Sequence, residues 1–317
     1  GNILGWKFTQ VSDEYYHENK DKELIVEGAN PKNNIRKCII APDGRYIMSL
    51  DYSAQEYLVL AILSRDSKMI ENFKNGVDPH TATAYGIWGK ENYDKAKRKK
   101  AKTTNFLMQY SGGAFTLSKN LNIPLEEAEH IIDSYKKHYF ECVQWKEDSI
   151  KKCIQKQDGV CYTLFGRPRQ FKSRLMTSAD LATLGAQGGT PGCSARVYQK
   201  KANATMAAVG RRIVSHLIQS TCGDICRWDL IRLYRKFFKK RNPDIDFYTT
   251  VHDEINYTVN KDKLVEYARM VDDIMTIYDF RKDLPIKTSI DVGYTLGTLF
   301  PFEWADKERT KLVPKRA

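Results

Sequence analysis

Hydrophobic and polar positions along the 317-residue chain separate into a few clear blocks. Through about Gly28-Ala29-Asn30-Pro31 the chain is polar and weakly patterned. The run Arg45-Tyr46-Ile47-Met48-Ser49-Leu50 then reads as a buried strand that ends in Asp51. Ser53 to Leu63 follows as a helix, with Tyr57, Leu60 and Ile62 among its apolar positions. Asp94 to Tyr110 predicts a second, strongly basic helix, and Pro124 before Leu125-Glu126-Glu127 starts a third that runs to about Phe140. Gly159 to Phe165 reads as a strand entering a turn at Gly166, and Ala186 to Gly192 is the most loop-like stretch. Two further helices are predicted over about Asn203–Gln219 and Gly223–Lys239. Phe247–Val251 and Ile255–Val259 then form a hairpin with His252-Asp253-Glu254 at its turn. Strands at the two ends and helices in the middle predict an α+β fold.

Charge changes this picture. Fifty-one Lys and Arg against thirty-nine Asp and Glu leave +12, a balance that suits a polyanionic partner, although a generally lysine-rich background gives the same number. The seven cysteines include no CxxC pair, which points away from zinc and from a disulfide framework and toward reduced thiols in an intracellular, cytoplasmic setting. No apolar run approaches the length of a membrane span, and no internal repeat or Pro/Ser-rich linker divides the chain.

Two features carry chemistry. Asp51 closes one strand and Asp253 lies in a distant hairpin turn. Carboxylates presented from adjacent strands can hold a pair of Mg²⁺ ions, one activating a hydroxyl and the other supporting leaving phosphate oxygens. Each aspartate taken alone reads more readily as a plain strand end. Arg98, Lys102, Phe106 and Tyr110 fall at successive steps of four and share one helix face. Cations there can grip a triphosphate and an aromatic can pack on a sugar or base. A solvated helix end followed by a core aromatic pair is the other reading of that stripe.

Four segments, taken in order, resemble family A DNA polymerases. Asp51-Tyr52-Ser53-Ala54-Gln55-Glu56 is similar to the first motif of that family, and Asp78-Pro79-His80-Thr81-Ala82-Thr83 to the start of its fingers. Arg98 to Asn122 is similar to its nucleotide-binding helix and the segment beyond, and Val251-His252-Asp253-Glu254 to its last motif. The resemblance spans roughly Asn33 to Val292 and implies a right-hand palm and fingers, with palm over residues 1–66 and 206–317 and fingers over 67–205.

By the same resemblance, Asp51 and Asp253 ligate two Mg²⁺ ions, which Mn²⁺ can replace, with the Tyr52 carbonyl as third ligand and Glu254 in support. Arg98, Lys102 and His80 hold the triphosphate of a dNTP, and Lys102 donates a proton to the departing pyrophosphate. Phe106 packs on the incoming sugar, Tyr110 on the templating base, and Glu56 blocks the space of a ribose 2′-hydroxyl. His252 approaches the primer end, while Asn33, Asn34, Arg211 and Gln219 meet the primer-template DNA. Ala54, Leu58, Leu107, Ser111 and Ser215 depart from the family's usual residues, and none of them is a metal ligand. Thumb and exonuclease segments are not recognisable, so the resemblance leaves either a fragment or a separate chain that supplies them. A single-subunit RNA polymerase, against which Glu56 speaks, and a non-catalytic polymerase-derived DNA-binding protein, against which the paired aspartates speak, remain the alternatives.

Overall fold

The structure is a computed structural model. It describes residues 35–156, 158–171, 195–276, 284 and 286–315, with side chains in the long helix described from residue 206. Four two-residue strands, Asn2–Ile3, Trp6–Lys7, Gln10–Val11 and Val26–Glu27, are described before them. Asn33, Asn34 and the loop expected over Ala186–Gly192 lie outside the described residues. The architecture is α+β, and the chain divides into two compact units, Gly1–Gln55 with Ile225–Ala317, and Glu56–Asp224.

The first unit is built on a six-stranded antiparallel sheet. In chain order its strands are β1 (Arg45–Tyr52), β2 (Ile245–Val251), β3 (Glu254–Asn260), β4 (Thr288–Gly293), β5 (Leu299–Trp304) and β6 (Leu312–Pro314). Across the sheet the order is β6-β5-β4-β1-β3-β2, which leaves β1 central and β2 at an edge. That explains why Tyr46 to Leu50 of β1 are all buried, Ser49 included.

Register divides the sheet into two faces, because directly opposed residues point the same way. Leu50 faces Ile255 and Ile290, and Met48 faces Tyr257 and Val292, which makes one side apolar. The helix Leu264–Thr276 covers that side, and Asp272 from it accepts the hydroxyl of Thr288. Tyr52, also on that side, donates its hydroxyl to buried Asp229 in the last turns of the long helix Ala195–Leu233. The opposite side carries Asp51 across from Glu254 and Ser289, and Ser49 across from Asn256 and Asp291.

The second unit is mainly helical. Gln55–Ser64, Ser67–Lys74, Pro79–Trp88, Lys95–Gln109, Ala114–Leu121, Leu125–His138 and Phe140–Gln155 precede a hairpin of Val160–Tyr162 and Pro168–Gln170. Asp66, Asp78 and Asp94 each cap a helix by accepting from the backbone N–H three residues on. Asp66 also accepts from the Cys142 N–H at 3.1 Å and so ties two helices together. The rings of Tyr57, Tyr135 and Tyr139 pack edge to face at the centre. The helix expected to reach Phe140 ends at His138 because Tyr139 leaves helical geometry (φ −109°, ψ 53°) and turns its ring into this core.

The two helices expected over 203–219 and 223–239 are one, Ala195–Leu233, continued by a π-helical turn over Tyr234–Phe238. Gly223 does not break it: buried Ile218, Cys222 and Ile225 flank the glycine, and their packing outweighs a cost of about 1 kcal/mol.

Candidate functional site

The sheet unit concentrates acids on its polar side. Asp51 stands opposite Glu254 in register, and Asp253 occupies the two-residue turn that joins β2 to β3. His252, the first residue of that turn, has φ +59°, the sign that tight hairpin turns of the primed types require. The turn leaves His252 exposed and holds Asp253 at the end of the strand beside β1. Burial, followed by the charges of Asp253, Glu254 and Asp291, pushes the Asp51 carboxyl up to about 6. Burial and the Glu254 charge also raise Asp291.

This cluster is poorly satisfied from within. Oδ1 of Asp51 is buried without a hydrogen-bond partner, and so are both amide atoms of Asn256 on the same side of the sheet. Glu254 is held from one side, where the Ser49 hydroxyl donates to its Oε1 at 2.8 Å. Unpaired oxygen beside like charge is costly. A divalent cation relieves both penalties, so the residues fit one. Among the described residues, no group of three or more His, Cys, Asp or Glu side chains forms a complete metal-ligating set. Magnesium does not need one, since it is commonly held by one or two carboxylates with water and substrate phosphate completing the shell.

The helical unit holds the other site residues in two groups. In the first, Arg98 donates through Nε to Asp78 at 3.0 Å and to the Thr81 hydroxyl at 3.3 Å. His80 packs its ring on Phe106 at 5.8 Å, and its Nδ1 accepts from Asn105 at 2.9 Å. Burial lowers the His80 pKa, with the nearby Arg98 and Lys102 charges adding to the effect against Asp78. Buried Asn105 in turn accepts the Thr83 hydroxyl at 2.9 Å, which locks Lys95–Gln109 against Pro79–Trp88. Lys102 and Phe106 stay exposed, Phe106 by half its surface. Asp94 caps the helix and Tyr110 ends it, so the stripe of Arg98, Lys102, Phe106 and Tyr110 lies along one continuous helix and its cap.

In the second group, Glu56 accepts from Gln109 Nε2 and from the Tyr110 hydroxyl, and from Gln219 Nε2 at 3.3 Å. Gln219 also donates to the Tyr110 oxygen at 2.9 Å. Burial and the bond to Glu56 raise the Tyr110 phenol well above its usual range. The structure therefore brings together Glu56, Tyr110 and Gln219 in one unit, and Asp51, Asp253 and Glu254 in the other. Arg211 is exposed on the long helix and has no place in either group.

Sequence reading missed Gln109, Asn256 and Asp291. Gln109 gave no signal beyond its place beside Tyr110. The other two did: Asn256 alternates with Ile255 and Tyr257, and Asp291 with Ile290 and Val292, an alternation that puts both on the polar side once the partner strand is known.

Comparisons relate the chain to known proteins. The family model for DNA polymerase family A matches residues 25–298. The thermostable DNA polymerase I of Thermus aquaticus is 29% identical over 262 residues, which cover 82% of this chain and 28% of that protein. The chain thus spans little more than a quarter of that relative's length. A DNA polymerase of Mycobacterium phage D29 is 42% identical over 106 residues, 33% of this chain and 18% of the phage protein. Among solved structures, the POL domain of Pol1 from M. smegmatis, in complex with DNA primer-template and dNTP, superposes with a TM-score of 0.68. At 23% identity it covers 83% of this chain and 42% of that one, a likeness of fold.

Proposed function

The chain belongs to DNA polymerase family A, and from that premise we propose that it extends a DNA primer on a template, adding dNTPs and releasing pyrophosphate. The sheet unit serves as palm and the helical unit as fingers. One observation supports this reading above the rest. The most charge-crowded place on the sheet is Asp51 beside Glu254 and Asp253, and it keeps a buried carboxylate oxygen without a partner.

Two Mg²⁺ ions, or Mn²⁺ in their place, would activate the primer 3′-hydroxyl and offset charge on the phosphates. Asp51, Asp253 and the Tyr52 carbonyl are the groups to hold them, and Ser49 keeps Glu254 turned toward the same place. Arg98, Lys102 and His80 grip the triphosphate. Asp78 and Thr81 engage Arg98 through Nε, which orients the guanidinium and turns the other edge of its fork to phosphate. Exposed Lys102 carries the proton that pyrophosphate takes as it leaves. Phe106 meets the sugar and Tyr110 the templating base. Arg211, Gln219, His252, Asn33 and Asn34 face the primer-template.

Glu56 favours the DNA polymerase reading over an RNA polymerase. Donors from Gln109, Tyr110 and Gln219 fix its carboxylate, so it cannot swing aside to admit a 2′-hydroxyl. A separate chain that grips the duplex or proofreads belongs to the same proposal. So does a cytoplasmic setting, which the free cysteines among the described residues support; no helix among the described residues is long and apolar enough to cross a membrane.

Primer extension by the purified chain with Mg²⁺ tests the proposal. Products should lengthen with dNTPs, not with rNTPs, and added partner chains should lengthen them further. Absence of any extension in Mg²⁺ or Mn²⁺, at DNA concentrations that saturate binding, would overturn it.

A further inference from the structure

The end of the long helix carries a surface that the polymerase reading does not use. Residues 227–241 hold seven Lys and Arg against one acid, Asp229, and all seven cations are exposed. The acids of this neighbourhood are spent elsewhere or on Arg232 alone. Asp229 is buried and engaged by Tyr52 and Arg232, Asp244 accepts from Asn260, and Asp246 pairs with Arg45. Such an excess of one sign calls for a polyanion.

The same surface is aromatic. Trp228 and Tyr234 are each exposed by about half, 46% and 55%, and Ile231 lies between them at helical spacing. The π-helical turn over Tyr234–Phe238, closed by Lys239 N–H on the Tyr234 carbonyl at 2.8 Å, then re-aims the helix end toward the edge strand β2. There the Phe238 ring meets Phe247 at 6.3 Å. A bulge between Phe247 and Thr249 leaves Tyr248 without a cross-strand partner on β3, and both neighbouring rings, Phe247 and Tyr248, reach solvent. From Trp228 to Phe238 the helix runs about 15 Å, enough for a few nucleotides. This surface is not on the carboxylate side of the sheet, because Asp229 anchors the helix to Tyr52 on the apolar side.

We propose that Trp228, Tyr234, Phe247 and Tyr248, with Arg235, Lys236, Lys239 and Lys240 around them, form a second binding surface for single-stranded nucleic acid. Bases stack on the exposed rings, and the cations track the phosphates. Exposed rings separate this partner from duplex, whose bases are already stacked, and from an acidic peptide, which needs the cations alone.

The test uses a fluorescent oligo(dT) carrying bromodeoxyuridine, bound to the full chain with excess primer-template present to occupy the polymerase site. Crosslinked peptides should map to 227–248. Trp228→Ala with Tyr234→Ala should weaken oligo(dT) binding roughly ten-fold with the salt slope unchanged. Lys236→Gln, Lys239→Gln and Lys240→Gln together should lower that slope by about 2. Extension at saturating primer-template should stay at the parent rate in both variants. Crosslinks confined to other segments would overturn the proposal. So would unchanged binding in both variants, equal competition by blunt duplex, or capture of a polyglutamate peptide in preference to oligo(dT).

Discussion

The two units treat charge in opposite ways. On the sheet, Asp51 is crowded by Asp253, Glu254 and Asp291 and keeps an unpaired buried oxygen. In the helical unit, Glu56 is met by three donors, Arg98 is paired with Asp78, and buried Asn105 bonds on both sides. The first arrangement holds a repulsion that a cation would relieve; the second is complete as it stands. On the proposed function, the frustrated charge is where the reaction would be carried out, and the satisfied polar groups are where the substrate would be measured and held.

The largest expected effect breaks the frustrated side. Asp51→Asn or Asp253→Asn should lower primer extension on the order of 10³-fold or more, with primer-template affinity near the parent value, since phosphate contacts dominate that affinity. Asp51→Asn should at the same time raise the metal-free melting temperature, because it removes one charge from a repulsive cluster. After discounting for its partial exposure the gain is about 1 kcal/mol. Activity and melting temperature falling together would mean that Asp51 is a structural residue.

The complete side should respond more mildly and through selectivity. Glu56→Ala should relax discrimination against ribonucleotides on the order of 10²-fold, measured as the ratio of kcat/KM for rNTP and dNTP. Gln109→Leu removes one donor to Glu56 without removing the gate, and a hydrogen bond to a charged group is worth ~1.5 kcal/mol or more. Discrimination should then fall roughly ten-fold while dNTP insertion holds. If Gln109→Leu slows dNTP insertion as much as it relaxes selectivity, Gln109 serves the helix and not the gate.

How far each side could be read from sequence follows from the same contrast. Asp51 at the end of an apolar run and Asp253 in a hairpin turn were legible, since strand patterns and turn chemistry are local. The helix of Arg98 to Tyr110 was legible from its spacing and its capping Asp94. The grip on Glu56 was not, because Gln109 and Gln219 lie 53 and 163 residues from it. Asp291 and Asn256 needed the register of three strands before they fell on one face. The gap expected between 219 and 223 is not there, because the packing of buried Ile218, Cys222 and Ile225 carries the helix through it.

The smallest predicted effect extends the contrast to a charge that the helical unit refuses. His138 ends the helix Leu125–His138, where a cation would be favoured by the helix dipole. Its ring instead packs on Tyr139 at 4.6 Å and against Gly86, where a Cβ would come within 2.4 Å of it. Burial, and after it the Lys68 charge, lower the imidazole from 6.5 to about 4. Between those values the unfolded chain takes up a proton that the folded chain refuses. Stability is therefore full above pH 6.5 and is lost as pH falls toward 4. The ring is partly exposed, so the loss is discounted to about 1–2 kcal/mol. His138→Gln should flatten the melting-temperature profile across that window while lowering it at neutral pH through lost ring packing. Parallel profiles for parent and variant would mean that the ring is free to protonate in the folded chain, and that the helical unit does not exclude charge there.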